Sequence, residues 1–148
     1  MPGRMSKNKG SSFERQVRDI ICEATGIKLE RTPGSGSWGR MQTKGDLIAP
    51  VKDKRRWPFF VECKKVEGWD MWNQLFGKEG PLFDWWVKAG VQAKEEGKTP
   101  LLIFAQNRRD ILVMAKWEKN DCLPPESVVV VDEFVFIAPL KSWLKWAF

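Results

Sequence analysis

The sequence predicts an α/β protein with a mixed central β-sheet flanked by helices. Three observations favour this class: an apolar stripe of helical period near the start, several short strand-like segments, and a second helical segment between two of those segments. The chain has 148 residues, of which 43% are hydrophobic and 30% are charged, and it shows no internal repeat. This composition is sufficient for one domain with a single buried core.

The first helix is predicted by the spacing of Phe13, Val17 and Ile21 in SSFERQVRDIICEATG. Ser11 or Ser12 can cap its start, and Gly26 can end it. The preceding residues 1–10 are polar and basic, so we expect a flexible arm there, followed by a single domain over residues 11–148. Glu14 lies one residue from the apolar stripe, at the boundary of the buried face.

Three strand-like segments follow, separated by a flexible loop and a charged turn. The order is IKLERT, the Gly/Ser-rich loop 33–45, GDLIAPV, the basic turn KDKRRWP, and PFFVECKKV. We expect the last two strands to form a hairpin whose turn projects cations.

The second half of the chain alternates a helix with strands. PLFDWWVKAGVQAKEEG is predicted to be helical, with Pro81 in its first turn and Gly97 beyond its end. TPLLIFAQ and RRDILVMAK are predicted strands joined by a tight turn near residues 107–109. SVVVVDEFVFIAP is expected to give one or two more strands, and LKSWLKWAF a short amphipathic helix.

Composition excludes several kinds of site. The chain has no His, which excludes His-ligated zinc and Ser–His or Cys–His catalysis. Its three scattered Cys residues fit a reducing compartment, and no apolar run approaches the length of a membrane span, so we expect an intracellular, cytoplasmic protein that is not secreted. The net charge of +6 is compatible with a phosphate-backbone partner without requiring one.

Asp46, Glu62 and Lys64 form a candidate catalytic site. Side chains two apart in a strand share a face, so Glu62 and Lys64 should project together while Cys63 points into the core. Asp46 begins the preceding strand and can lie beside them. The carboxylates of Asp46 and Glu62, with the backbone carbonyl of Cys63 as a further ligand, would form an oxygen site suited to Mg²⁺ or Mn²⁺. With Lys64 adjacent, such a site suits phosphodiester hydrolysis. Acidic and basic residues on a solvated strand face are the alternative interpretation.

The motifs also resemble a known family. KGSSFERQV, RTPGSGSWG, KGDLI and FVECKK are together similar to archaeal-type Holliday junction resolvases and their phage-borne relatives, within the PD-(D/E)xK nuclease superfamily. The similarity spans residues 9–115. It implies that Glu14, Asp46 and Glu62 are metal ligands and that Lys64 is the catalytic lysine. Gly45 stands where the superfamily's name has Pro.

The resemblance also implies DNA contacts. Arg15 and Arg31 would face phosphates. Ser35 or Ser37 would lie in a loop that positions the scissile strand, and Ser37 is also a candidate catalytic residue. Further cations assigned to DNA are Lys44, Lys54, Arg55, Arg56 and Lys65, although the turn cations could simply be solvated.

The candidate site predicts a Mg²⁺-dependent endonuclease, and the resemblance implies that it resolves four-way DNA junctions by paired nicks. Because a junction offers two symmetric strands, we expect a homodimer. Two alternatives remain open: a nuclease of the same fold acting on duplex, flap or single-stranded DNA, and a non-catalytic DNA-binding module. The Trp-rich segment 67–86 and Gln92 are left without an assigned role.

Overall fold

The fold is known from a computed structural model. It describes residues 2–32, 45–66, 81–106, 109–118, 122–127, 129–130 and 134–148. Within these ranges, no helix combines the length and apolar character needed to cross a membrane.

Three α-helices and seven strands make up the described parts of the chain. The helices are α1 (Pro2–Thr25), α2 (Pro81–Glu95) and α3 (Leu140–Ala147), and a 3₁₀ helix spans Val51–Asp53. The strands are β1 (Glu30–Arg31), β2 (Leu47–Ile48), β3 (Phe59–Val66), β4 (Thr99–Gln106), β5 (Leu112–Lys116), β6 (Val129–Val130) and β7 (Val135–Pro139). The predicted order of elements is confirmed, with β1 and β2 shorter than expected.

All the described strands belong to one sheet, in the order β1-β2-β3-β4-β5-β7-β6. Strands β3 and β4 are parallel, from Phe59 opposite Thr99 to Val66 opposite Gln106, and the other pairings are antiparallel. Parallel neighbours need a crossover connection, and α2 lies in the connection between β3 and β4. The predicted mixed sheet with flanking helices is therefore confirmed.

The two faces of the sheet bury separate apolar clusters. Along β4, Leu101 and Ile103 pack with α1 and α3, whereas Leu102 and Phe104 pack with α2. We call the second set, which also contains Leu82, Met114, Val135 and Ile137, the α2-side cluster. Strand side chains alternate between faces, so a strand with a continuous apolar run, such as Leu101–Ala105 of β4, must be covered on both sides.

The short helix α3 closes the α1 side of the sheet with aromatic packing. Trp143 is buried, and its ring meets Trp57 at 6.0 Å and Phe59 at 5.3 Å, both edge to face. Phe148 stacks on Trp57 at 5.7 Å. Several of the chain's unusually abundant Trp and Phe rings therefore pack in the core between α3 and the sheet.

Helix α1 differs from the prediction at its start. It begins at Pro2, so residues 2–10 are helical where we expected a flexible arm, and neither Ser11 nor Ser12 is the N-terminal cap. Extending an existing helix requires far less free energy than nucleating one, so a polar segment can continue a helix held by packing further along. Its end is as predicted: Gly26 has a φ of 76° and donates to the Cys22 carbonyl at 2.8 Å.

Candidate active site

The hairpin of β2 and β3 positions the first carboxylate. Leu47 lies opposite Val61, and the Asp46 amide donates to the Val61 carbonyl at 2.7 Å. One carboxylate oxygen of Asp46 in turn accepts the Cys63 amide at 2.8 Å. The side chain of Asp46 is therefore fixed against the backbone of β3, as the sequence predicted for a residue beside the Glu62–Lys64 pair.

Side chains alternate along β3 as predicted. Cys63 packs against the cluster on the α1 side, whereas the Lys64 ammonium lies 3.6 Å from a carboxylate oxygen of Glu62. The Glu62 and Lys64 side chains are 21% and 37% exposed, so this pair is partly withdrawn from solvent yet open to a ligand.

A glycine is required immediately before Asp46. Gly45 has a φ of 76°, and a Cβ at this position would lie 2.7 Å from the Val61 carbonyl oxygen. The Thr32 hydroxyl also donates to the Gly45 carbonyl. Proline is restricted to φ near −65°, so the departure from the superfamily's Pro follows from backbone geometry at this turn.

Glu14 reaches the same region from α1, and Arg31 engages it. The carboxylate of Glu14 is buried and accepts the Arg31 Nε at 2.8 Å. A terminal nitrogen of the same guanidinium donates to the Ser11 hydroxyl at 2.9 Å. The sequence predicted Arg31 as a phosphate contact and did not anticipate its pairing with Glu14, and it offered Ser11 only as a helix cap.

Burial and neighbouring charges alter the pKa values of the carboxyl groups. Desolvation, reinforced by the negative charge of Glu62, raises the pKa of Asp46 to about 7, although the Cys63 amide opposes the shift. Desolvation likewise raises the pKa of Glu62, against the opposing effect of Lys64. The buried Cys63 thiol has a pKa well above its usual range, mainly through desolvation, which makes it inert as a nucleophile.

One aromatic residue at the site was not predicted. The ammonium of Lys64 lies 5.6 Å from the ring centroid of Trp85, which α2 brings to this face of β3. The sequence left Trp85 without an assigned role, together with the rest of the Trp-rich segment 67–86. The available signal was the β3–α2–β4 crossover, because it places α2 over one face of β3.

Comparison with known proteins identifies the family of the chain. Residues 5–137 match the family described as "Phage putative PDDEXK endonuclease". The chain belongs to this family. It is also 34% identical to "Protein D14" of Escherichia phage T5 over 110 residues, which are 73% of this chain and 69% of that protein. The predicted membership of the PD-(D/E)xK superfamily is therefore confirmed, and this PDDEXK family member is an endonuclease of that superfamily.

A solved structure also resembles this PDDEXK endonuclease. It is Hjc of Archaeoglobus fulgidus, a Holliday junction resolvase from an archaeal hyperthermophile, with a TM-score of 0.48 and 14% sequence identity. The alignment covers 93% of this chain and 99% of that one. A likeness of this size says nothing about the substrate of this PDDEXK endonuclease.

The cations assigned to DNA occupy several different settings. Arg15, Lys54 and Arg55 are exposed, whereas Arg56 donates to the Thr25 carbonyl at 2.9 Å at the end of α1. The basic turn therefore meets the C-terminal end of α1, about 16 Å along the helix from Glu14 at 1.5 Å per residue.

The other DNA-contact candidates lie elsewhere. Lys65 lies near the Phe13 ring, at 5.9 Å from its centroid. Ser35, Ser37 and Lys44 lie outside the described residues, as does most of the Trp-rich segment. The proposed DNA contacts of all these residues remain predictions.

The carboxylates of Asp46 and Glu62 are the candidate ligands of a divalent ion. Across the described residues, no group of three or more Cys, Asp or Glu side chains is arranged to hold one ion, and Glu14 is paired with Arg31. The negative charge of Glu62 nevertheless repels that of the buried Asp46 carboxylate and raises its pKa, and burial raises the pKa of Glu62. Two crowded oxygen donors of this type fit Mg²⁺ or Mn²⁺, because a cation would relieve that repulsion.

Proposed function

We propose that this PDDEXK endonuclease is a metal-dependent enzyme that cuts four-way DNA junctions by paired, symmetric nicks. The observation that carries the proposal is the meeting of Asp46, Glu62 and Lys64 beside one stretch of β3, with Asp46 held by the Cys63 amide. This set supplies two carboxylates and one ammonium within a single partly buried site. These groups can serve hydrolysis of an anionic phosphodiester in a protein without histidine.

The carboxylates of Asp46 and Glu62, with the carbonyl of Cys63, would hold Mg²⁺, for which Mn²⁺ would substitute. A divalent ion bound there would stabilise charge on the phosphate and would lower the pKa of the attacking water. Glu14 lies close enough to raise the pKa of Asp46 electrostatically, which makes it the candidate for a further ligand.

The protein's own residues supply the remaining functions. Lys64 is placed to offset charge on a phosphate oxygen or to orient the attacking water. The Cys63 amide fixes the orientation of the Asp46 carboxylate, and Arg31 fixes that of Glu14. Exposed Arg15, Lys54 and Arg55 would contact the DNA backbone, which positions a substrate without reading its sequence.

The choice of a branched substrate rests on the sequence resemblance to archaeal-type resolvases. The homodimer follows from the substrate, because two sites related by a two-fold axis match the two equivalent strands of a junction. Each site would leave a 5′-phosphate end.

A cleavage assay tests the proposal. A synthetic four-way junction, a linear duplex, a flap and a single strand are each incubated with the protein in Mg²⁺, Mn²⁺ or chelator. We expect metal-dependent nicks at symmetric positions in the junction and little cleavage of the other three. Lys64→Ala should abolish cleavage while leaving the junction Kd unchanged, whereas Lys88→Ala, which removes an exposed lysine on α2, should cut normally.

The other outcomes separate the alternatives. Equal or better cleavage of duplex, flap or single strand would overturn junction specificity but retain the nuclease. Salt-sensitive DNA binding by a folded protein, with neither cleavage nor metal binding, would identify a non-catalytic DNA-binding module. Loss of junction binding in Lys64→Ala would show that Lys64 binds substrate and has been misassigned as catalytic.

A further inference from the structure

The Lys64 ammonium is contacted by two different side chains. It lies 3.6 Å from a Glu62 carboxylate oxygen and 5.6 Å from the centroid of the Trp85 ring. A cation within about 6 Å of an indole face is attracted by the ring's quadrupole. The Lys64 side chain remains 37% exposed, so these contacts leave the ammonium accessible from solvent.

The Trp85 ring is anchored from behind by the core. Leu82, one turn earlier on α2, is fully buried, and Trp85 and Trp86 both pack against the α2-side cluster of Leu102, Phe104 and Met114. Positions three and four apart lie on the same side of a helix, so this stripe fixes the rotation of α2 over the sheet. The indole is therefore a fixed surface, whereas Lys64 has a flexible four-carbon stem.

We propose that Trp85 is a positioning residue that holds the Lys64 ammonium beside Glu62. A catalytic lysine with several rotatable bonds loses effective concentration at the reacting atoms unless its rotamer is restricted by its neighbours. The indole supplies that restriction without forming a salt bridge that would have to break when a phosphate arrives. The effect of this contact on the reaction rate rests on the proposed function, because that proposal is what gives Lys64 a role in the reaction.

The contact itself can be tested without metal or DNA. In protein labelled with ¹³C at lysine Cε, protons held over an indole face are shifted upfield by the ring current. We expect one such resonance, assigned to Lys64 by its absence from Lys64→Ala. It should disappear in Trp85→Leu and persist in Trp86→Leu, which removes a neighbouring indole from the same cluster.

The kinetic test uses the same pair of variants on the substrate that the wild type cuts. Relative to Trp86→Leu, Trp85→Leu should lower kcat by about 3- to 30-fold, the range expected for loss of a cation–π contact, with an unchanged DNA Kd. Trp85→Phe keeps an aromatic face and should recover part of the loss. Adding Trp85→Leu to Lys64→Ala should not change any trace of cleavage that remains in Lys64→Ala.

Each failure has a distinct meaning. A Lys64 resonance that is not shifted, or that survives Trp85→Leu, overturns the contact. A wild type that cuts while Trp85→Leu and Trp86→Leu cut equally well overturns the positioning role alone. A wild type that cuts no DNA overturns the proposed function and the kinetic role together. If Trp85→Leu does not fold, Trp85→Phe replaces it: the Lys64 resonance should then be shifted less far upfield and kcat should fall by a smaller factor, and an unchanged shift and kcat overturn the proposal.

Discussion

The amide of Cys63 donates a hydrogen bond of 2.8 Å to the carboxylate of Asp46. This bond joins the residue before β2 to the backbone between Glu62 and Lys64. It keeps a buried carboxylate in place even though desolvation and the charge of Glu62 disfavour its ionised form. The site thus holds a charge distribution that is unfavourable for folding, which is consistent with the proposed binding of a cation.

Replacing Asp46 by Asn should stabilise the metal-free protein at alkaline pH. The folded pKa of about 7 lies above the reference value of 3.8, so between these values the folded state holds the extra proton and the free energy of unfolding falls as pH rises. Asn keeps an acceptor for the Cys63 amide but has no charge. We expect a gain of about 1–4 kcal/mol at pH 8, shrinking towards pH 4, measured by urea unfolding.

Asp110→Asn, at an exposed position, is the control for Asp46→Asn and should change stability little at any pH. A loss of stability in Asp46→Asn at pH 8 would contradict the burial of an unfavourable charge. The same variant should bind Mn²⁺ much more weakly than the wild type, so stability and metal binding should move in opposite directions.

Metal affinity should depend on pH. A cation needs the ionised form of Asp46, whose pKa is about 7, so protons compete with metal below that pH. We expect the apparent Mn²⁺ affinity to fall by about tenfold for each pH unit below 7 and to level off above it. Calorimetric titration over two pH units on either side of 7 measures this. An affinity that is constant across that range would show that Asp46 is not a ligand.

Alanine at Gly45 should destabilise the hairpin. The substitution combines a φ of 76° with a Cβ 2.7 Å from the Val61 carbonyl oxygen. Gly26 is a matched control, because it has the same φ and a Cβ added there would meet nothing within 4 Å. We expect unfolding free energies to fall by about 1 kcal/mol for Gly26→Ala and about 2–4 kcal/mol for Gly45→Ala. Equal losses would show that the close approach to Val61 is relieved at no cost.

Removing Arg31 should leave the buried Glu14 carboxylate without its guanidinium partner. With side chains only 27% and 11% exposed, the pair lies in a poorly solvated setting. We expect Arg31→Met to lower the free energy of unfolding by about 2–3 kcal/mol, and Glu14→Gln in the same chain to restore much of it. Ser11→Ala, which removes the other contact of the guanidinium, should lose only about 1 kcal/mol.

Chemical denaturation of the four proteins in the Arg31 and Glu14 cycle gives the coupling energy directly. Additive losses from the two substitutions would show that the ion pair does not stabilise the fold. Arg31 would then be available to contact DNA phosphates, as the sequence resemblance implied.

Several structural features of this protein are determined by residues that lie close together in its sequence. The α/β class, the β2–β3 hairpin and the shared face of Glu62 and Lys64 follow from hydrophobic period and from the alternation of side chains in a strand. The end of α1 at Gly26 and the start of α2 at Pro81 follow from the backbone preferences of Gly and Pro. These features depend on residues close together in the chain, so they are visible before the chain is folded.

The tertiary structure decided which side chains meet. Arg31 and Glu14 are 17 residues apart, and their pairing depends on where β1 lies relative to α1. Trp85 reaches Lys64 only because the crossover places α2 over that face of the sheet. Asp46 acquires its raised pKa from burial and from Glu62, not from its own neighbours in sequence. Such contacts depend on the packing of whole elements against one another, for which local periodicity carries no information.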